Sequence, residues 1–88
     1  MRVLSVGVIG YGVVGKRRIQ HILDNKNLKL KYVSDIEFKK NFTKKKVNYF
    51  INYLDLIKKK PNIVFVTLPN YLAPKVTKLC LKNKIHVF

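Results

Sequence analysis

Gly10-Tyr11-Gly12-Val13-Val14-Gly15 reads G-x-G-x-x-G, and this stretch decides the fold. It follows a mostly apolar run, Val3 to Ile9, with the character of a buried strand. It opens a segment, Val13 to Leu23, in which Gly15, Ile19, Ile22 and Leu23 recur with helical spacing. Asp35 lies twenty residues beyond Gly15, at the end of a second strand-like run. Strand, glycine turn, helix and a carboxylate at that distance together predict a dinucleotide-binding turn. In such a turn Gly10 permits the sharp exit from the strand. Gly12 leaves room for a pyrophosphate, and Gly15 lets the helix approach the sheet. The helix N-terminus directs free N–H groups and partial positive charge at the phosphates. Asp35 accepts hydrogen bonds from ribose hydroxyls. The competing reading of Asp35 is a strand-end turn residue.

Outward from this turn, strand-like and helix-like segments alternate, the pattern of a parallel sheet with crossover helices. Leu28, Leu30 and Tyr32 alternate with lysines and lead through Val33 to Asp35, forming the second strand. Ile36 to Lys46 is read as irregular, with room for a short helical turn. Val47–Phe50 is a short third strand. Asn52 is placed to cap a helix over Tyr53–Lys60, with Asp55 in its first turn and Pro61 closing it. Ile63–Leu68 is a β-branched central strand. Leu72, Val76, Leu79 and Cys80 mark one face of a further helix, with Lys75, Lys78 and Lys82 on the other. Ile85–Phe88 begins a fifth strand. The expected fold is α/β: a Rossmann-like, doubly wound parallel sheet of about five strands with helices on both faces, incomplete at its C-terminus. Residues 1–88 are read as one partial domain, because a parallel sheet is normally covered on both faces. The missing cover comes from further chain or from a second copy through the uncovered sheet.

Composition bounds the function. Eighty-eight residues bury roughly 60–65% of the unfolded surface, enough for one modest core. The formal net charge is +15, from 19 lysines and arginines against Asp24, Asp35, Glu37 and Asp55. A basic surface attracts polyanions. The lysines are scattered through every segment, however, and no stacking platform or recognition motif accompanies them. A nucleic-acid-binding role is therefore the weakest of the readings. Cys80 is the lone cysteine and has no internal partner, which fits a reducing, cytoplasmic location. The apolar N-terminal stretch is interrupted by glycines and runs into Lys16-Arg17-Arg18, unlike a secretory signal. His21 and His86 are too far from other ligands to form a metal site; His21 reads as half-exposed and His86 as packed in the final strand. Tyr11 has two readings, a residue packed near the bound ligand or an exposed loop aromatic.

Val6 to Gly15, then Val33-Ser34-Asp35, then Val64-Phe65-Val66-Thr67-Leu68-Pro69-Asn70, then Lys84-Ile85-His86-Val87 occur in order across nearly the whole chain. In this the sequence resembles the N-terminal domain of the glucose–fructose oxidoreductase / inositol 2-dehydrogenase / rhizopine catabolism (Gfo/Idh/MocA) family. The glycine turn is common to many dinucleotide folds; the Thr-x-Pro-Asn element is more specific. The resemblance implies an NAD(P)-dependent oxidoreductase acting on a sugar, polyol or sugar nucleotide. It implies that Gly10, Tyr11, Gly12, Val13, Val14 and Gly15 bind the pyrophosphate and Asp35 the adenosine ribose. Thr67, Leu68, Pro69 and Asn70 then lie beside the nicotinamide half. Ala73 and Lys84 depart from the family pattern. The family's Glu-Lys-Pro catalytic motif and its substrate domain are not in these 88 residues, so no catalytic residue is assigned. The carboxylate at Asp35 favours NAD over NADP, with Lys39 and Lys40 close enough in sequence to weaken that preference. The alternative function is a stand-alone nucleotide-binding or regulatory module without turnover.

Overall fold

Leu4–Ile9 forms β1, a run whose alternate side chains enter two different cores. In the computed structural model, which describes residues 2–69 and 71–88, β1 is central. It pairs in parallel with β2 (Leu28–Ser34) on one side and β5 (Ile63–Val66) on the other. β4 (Val47–Phe50) adds in parallel outside β2, and β6 (His86–Val87) outside β5. β3 (Phe42–Lys44) is antiparallel to β4 at the edge. The sheet therefore has six strands in the order β3-β4-β2-β1-β5-β6. Among the described residues three helices connect it: α1 (Val13–Leu23), α2 (Tyr53–Lys58) and α3 (Ala73–Lys82).

Val6 and Val8 point to the α1 side, where they join Ile22, Leu30, Val33, Val47 and Ile63. Ile9 points the other way, into Leu56 and Ile57 of α2 and Val76 and Cys80 of α3. Helices thus cover both faces, as a doubly wound sheet requires. Each fully buried aliphatic side chain contributes about 1.5–3 kcal/mol. Gly7 lies beneath α2: a Cβ there would meet Leu56 Cδ2 at 2.9 Å, so its small size sets how closely that helix can approach. On α1, Gly15 and Ile22 are buried and Ile19 half-buried, but Leu23 is exposed at the helix end.

The sheet departs from the sequence reading in three places. First, the region after Ile36 contributes a sixth strand, not a helical turn. β3 and β4 are joined by Lys45 and Lys46, with φ of 51° and 66°, the two positive dihedrals of a tight hairpin turn. Asn-Gly is the usual signal for this geometry; two lysines conceal it. Asn41 Oδ1 accepts from Ile51 N at 2.8 Å, and the Phe42 and Tyr49 rings stack at 4.4 Å, holding the hairpin closed. The lysines at its tip also discourage edge-to-edge pairing. Second, Val6 pairs with Leu30 but Gly7 pairs with Tyr32, so Lys31 is an extra residue in β2. The bulge turns Tyr32 to the α2 side, away from Leu30, and gives Val33 the α1 side. Third, His86 is exposed instead of packed.

α2 begins as expected, with Asn52 Oδ1 accepting from Leu54 N at 2.9 Å and Asp55 in the first turn. It ends earlier, at Lys58, because Lys60 takes a left-handed φ of 50° ahead of Pro61. No helix among the described residues is long and apolar enough to cross a membrane.

Candidate dinucleotide site

The chain leaves β1 toward β2 on one side and reaches β5 on the other, so the strand order reverses beside β1. Diverging connections open a crevice at the carboxyl ends of such strands. Here the crevice is a cleft of about 610 Å³, within the usual size of a small-molecule site.

Its base is the glycine turn. Gly10 N donates to Ser34 O at 2.8 Å, tying the turn to β2. Gly10 has φ +109°, and a Cβ there would lie 2.6 Å from the Thr67 carbonyl oxygen. Thr67 holds the other side: its N–H donates to Ile9 O at 2.9 Å and its hydroxyl to Gly10 O at 2.8 Å. Gly15 is buried, and a Cβ on it would collide with the Gly10 carbonyl. Gly12, in contrast, faces open space, with none of the described residues within 4 Å of where its Cβ would lie. It is the N-cap of α1 and offers no side-chain acceptor, and the first turn holds no acidic residue. The leading N–H groups of α1 therefore remain available to an anion from outside the chain.

Asp35 stands at the next strand end. Its Oδ2 accepts from Tyr11 N at 2.6 Å and its Oδ1 from Glu37 N at 2.8 Å. Each carboxylate oxygen has capacity for a further hydrogen bond. Asp35 N in turn donates to Phe50 O at 3.0 Å, so β4 fixes the carboxylate's backbone.

The cleft brings together Gly10, Gly12, Val13, Val14, Asp35, Thr67, Leu68 and Pro69. Gly15 lies behind it, packed on the turn. Asn70 falls outside the described residues. Tyr11 contributes its backbone to Asp35, but its ring turns to the α1 side, 5.4 Å from Phe38 and 6.3 Å from Tyr49. The Lys16 ammonium lies 5.1 Å from its centre. Burial, with the neighbouring Tyr11 phenol second, pushes the Tyr49 hydroxyl above its ordinary value. Sequence reasoning missed Ser34, Ile36, Glu37, Ile51, Tyr53, Tyr71 and Leu72 in the cleft lining. The signal for Ser34, Ile36 and Glu37 was their adjacency to Asp35; Ile51 and Tyr53 enter only because β4 lies beside β2. Ser34 is buried on the wall, and its hydroxyl has no hydrogen-bond partner among the described residues.

Charge in the cleft opposes charge on the whole. Asp35 and Glu37 are the only ionic side chains among the described residues that line it. Lys39 and Lys40 are exposed and lie off the cleft. Among the described residues no group of His, Cys, Asp and Glu is arranged to hold a metal. A hollow of about 590 Å³ at the amino ends of the strands, edged by Leu4, Asn62 and His86, has no glycine turn.

Fold and cleft define a dinucleotide-binding α/β domain with a Rossmann topology. More particularly, residues 4–88 match the Gfo/Idh/MocA oxidoreductase family with an NAD-binding Rossmann fold, and the chain belongs to that family. NAD is the family's cofactor. No curated protein sequence matches the chain. Among solved structures, D-galactose-1-dehydrogenase from Rhizobium etli aligns with TM-score 0.84 and 19% identity, over 100% of this chain and 28% of its own. Dipicolinate-bound dihydrodipicolinate reductase from Paenisporosarcina sp. TG-14 aligns with TM-score 0.84 and 22% identity, over 97% of this chain and 36% of its own. The WlbA dehydrogenase from Bordetella pertussis, in complex with NADH and UDP-GlcNAcA, aligns with TM-score 0.81 and 16% identity, over 98% and 28%. These likenesses concern the fold. The chain spans about a third or less of the length of D-galactose-1-dehydrogenase and WlbA, and 36% of the reductase.

Proposed function

We propose that this chain binds NAD(H) in the cleft at the carboxyl ends of β1, β2 and β5, as the cofactor-binding part of a dehydrogenase for a sugar, polyol or sugar nucleotide. The observation that carries the reading is the combination of an open Gly12 and an uncapped α1 with the tethered carboxylate of Asp35. The first fits a diphosphate, and the second fits a ribose diol. The residues present therefore suit the family's cofactor.

Bound NAD(H) supplies hydride exchange at its nicotinamide ring. The chain's own residues bind and orient. Gly12, Val13 and Val14 present backbone to the pyrophosphate, and α1 adds the positive end of its dipole. Asp35 receives the adenosine ribose hydroxyls on its remaining lone pairs. Thr67 shapes the turn through Gly10, and its hydroxyl proton is already donated there. Leu68 and Pro69, with Asn70 by family resemblance, border the nicotinamide side. Substrate groups and the acid/base residue are not assigned to this chain. The sugar-type substrate rests on the family and on relatives such as D-galactose-1-dehydrogenase. A lone, buried cysteine supports a reducing, cytoplasmic setting.

Calorimetric titration with NAD+ and NADH tests the reading, with circular dichroism confirming that the chain is folded. Saturable binding that weakens in Asp35→Ala is expected. Folded protein that takes up neither form removes the proposal. NADH binding without oxidation of any sugar, polyol or sugar nucleotide by the protein that contains this domain would favour the regulatory alternative.

A further inference from the structure

The chain carries a net charge of +15, yet no lysine or arginine is among the described residues lining its 610 Å³ cleft. The two ionic side chains present are both acidic and two residues apart. Glu37 is the second of them. Its backbone N–H donates to Asp35 Oδ1 at 2.8 Å, and Phe38 N donates to Asp35 O at 3.2 Å. These bonds fold residues 35–38 into a tight turn that keeps Glu37 on the cleft rim beside Asp35. Phe38 anchors the far end of the turn, packed 5.4 Å from Tyr11 and 5.8 Å from Tyr49. The turn is thus held at both ends, by hydrogen bonds and by an aromatic cluster.

We infer that Glu37 is a second specificity determinant of the cleft, acting with Asp35 to exclude a 2′-phosphorylated ribose. This rests on reading the cleft as the NAD site. An NADP 2′-phosphate entering beside Asp35 meets two carboxylates and, among the described lining residues, no cation to pair with. Lys39 and Lys40, the nearest basic residues in sequence, lie beyond Phe38 and face solvent off the cleft. Discrimination at the ribose end comes from repulsion, since no basic side chain among the described residues lines the cleft to reward a 2′-phosphate. An uncharged 2′-hydroxyl meets no such opposition.

The test is calorimetry of the 88-residue chain with NAD+ and with NADP+. The variants are Glu37→Gln, Glu37→Lys and, as a control, Asp24→Lys. Glu37 is exposed and its backbone N–H persists in either variant, so both are expected to fold. Asp24 is an exposed acid at the far end of α1, so its replacement changes net charge as Glu37→Lys does, but away from the cleft. The wild type should bind NAD+ and show at least about tenfold weaker NADP+ binding. Glu37→Lys should gain at least about tenfold in NADP+ affinity, Glu37→Gln a smaller gain, and Asp24→Lys almost none. NAD+ affinity should change less than NADP+ affinity in both Glu37 variants, and by less than about threefold in Asp24→Lys. NAD+ binding with unchanged NADP+ affinity in Glu37→Lys overturns the role of Glu37 and leaves the NAD reading intact. An equal gain in Asp24→Lys also overturns it, since the effect would then belong to the whole molecule's field. Binding of neither cofactor by folded wild-type protein overturns both readings.

Discussion

The Asp35 carboxylate accepts the backbone N–H of Tyr11 at 2.6 Å, across 24 residues of sequence. One side chain at the end of β2 thereby holds the glycine turn at the end of β1, before any ligand arrives. Asp35→Ala leaves two N–H groups, those of Tyr11 and Glu37, without their acceptor. It should cost about 1–3 kcal/mol in urea unfolding as well as weakening NAD+ binding at least tenfold. Asp35→Asn keeps one acceptor oxygen and should fall between. Unchanged stability in Asp35→Ala would show that the turn stands without this bond.

The glycines of the turn should separate by what surrounds them. Gly10→Ala forces a Cβ into the Thr67 carbonyl at a φ of +109°, so a loss of about 3 kcal/mol or more is expected. Gly12→Ala meets nothing, at an ordinary extended φ of −85°, and stability should stay within about 1 kcal/mol. Its effect should appear as lost NAD+ affinity, because the added methyl occupies the space left for the diphosphate. Denaturant melts and calorimetry on the pair check this, and a Gly12→Ala protein with full affinity would contradict it.

Ser34 buries a hydroxyl that finds no hydrogen-bond partner among the described residues. Such a group is desolvated without return. Ser34→Ala should therefore match or exceed the wild type in stability, by up to about 1 kcal/mol. A loss above that size would reveal a structural water on the cleft wall, read out by the same urea titration.

Burial raises the Cys80 thiol above its ordinary value of 9.0. Below about pH 7.5 the thiol is neutral in both folded and unfolded chains, and this contribution to stability is complete. Above that pH the unfolded chain ionises first, so the contribution declines as pH rises toward the folded value. The stability difference between wild type and Cys80→Ala should be flat from about pH 6 to 7.5 and shrink by about pH 10. Slow alkylation of native protein at neutral pH is the companion observation, since the thiol is buried and protonated.

The sequence alone determined the local grammar of this protein. Glycine spacing after an apolar strand, Asp35 at its distance, Asn52 as a helix cap and β-branched runs are short-range patterns, and their physics acts within a few residues. The order of the strands, with β1 between β2 and β5, came from the tertiary structure. What only the tertiary structure decided was facing and adjacency. The Lys45–Lys46 turn carries no residue that announces positive φ, and β3 exists because Phe42 can stack on Tyr49. The extra Lys31 in β2 reverses Tyr32, which no alternation along one strand can reveal, because register is set by the partner strand. Tyr11 lies in the glycine turn, yet its ring packs away from the cleft, in an aromatic cluster with Phe38 and Tyr49 on the α1 side of the sheet. Charge is the clearest case: 19 basic residues and four acidic ones are counted from the sequence, but pairing and packing put two of the four acids, and none of the bases, on the cleft. Composition sums over the surface, whereas a ligand meets only the side chains that long-range packing turns toward it.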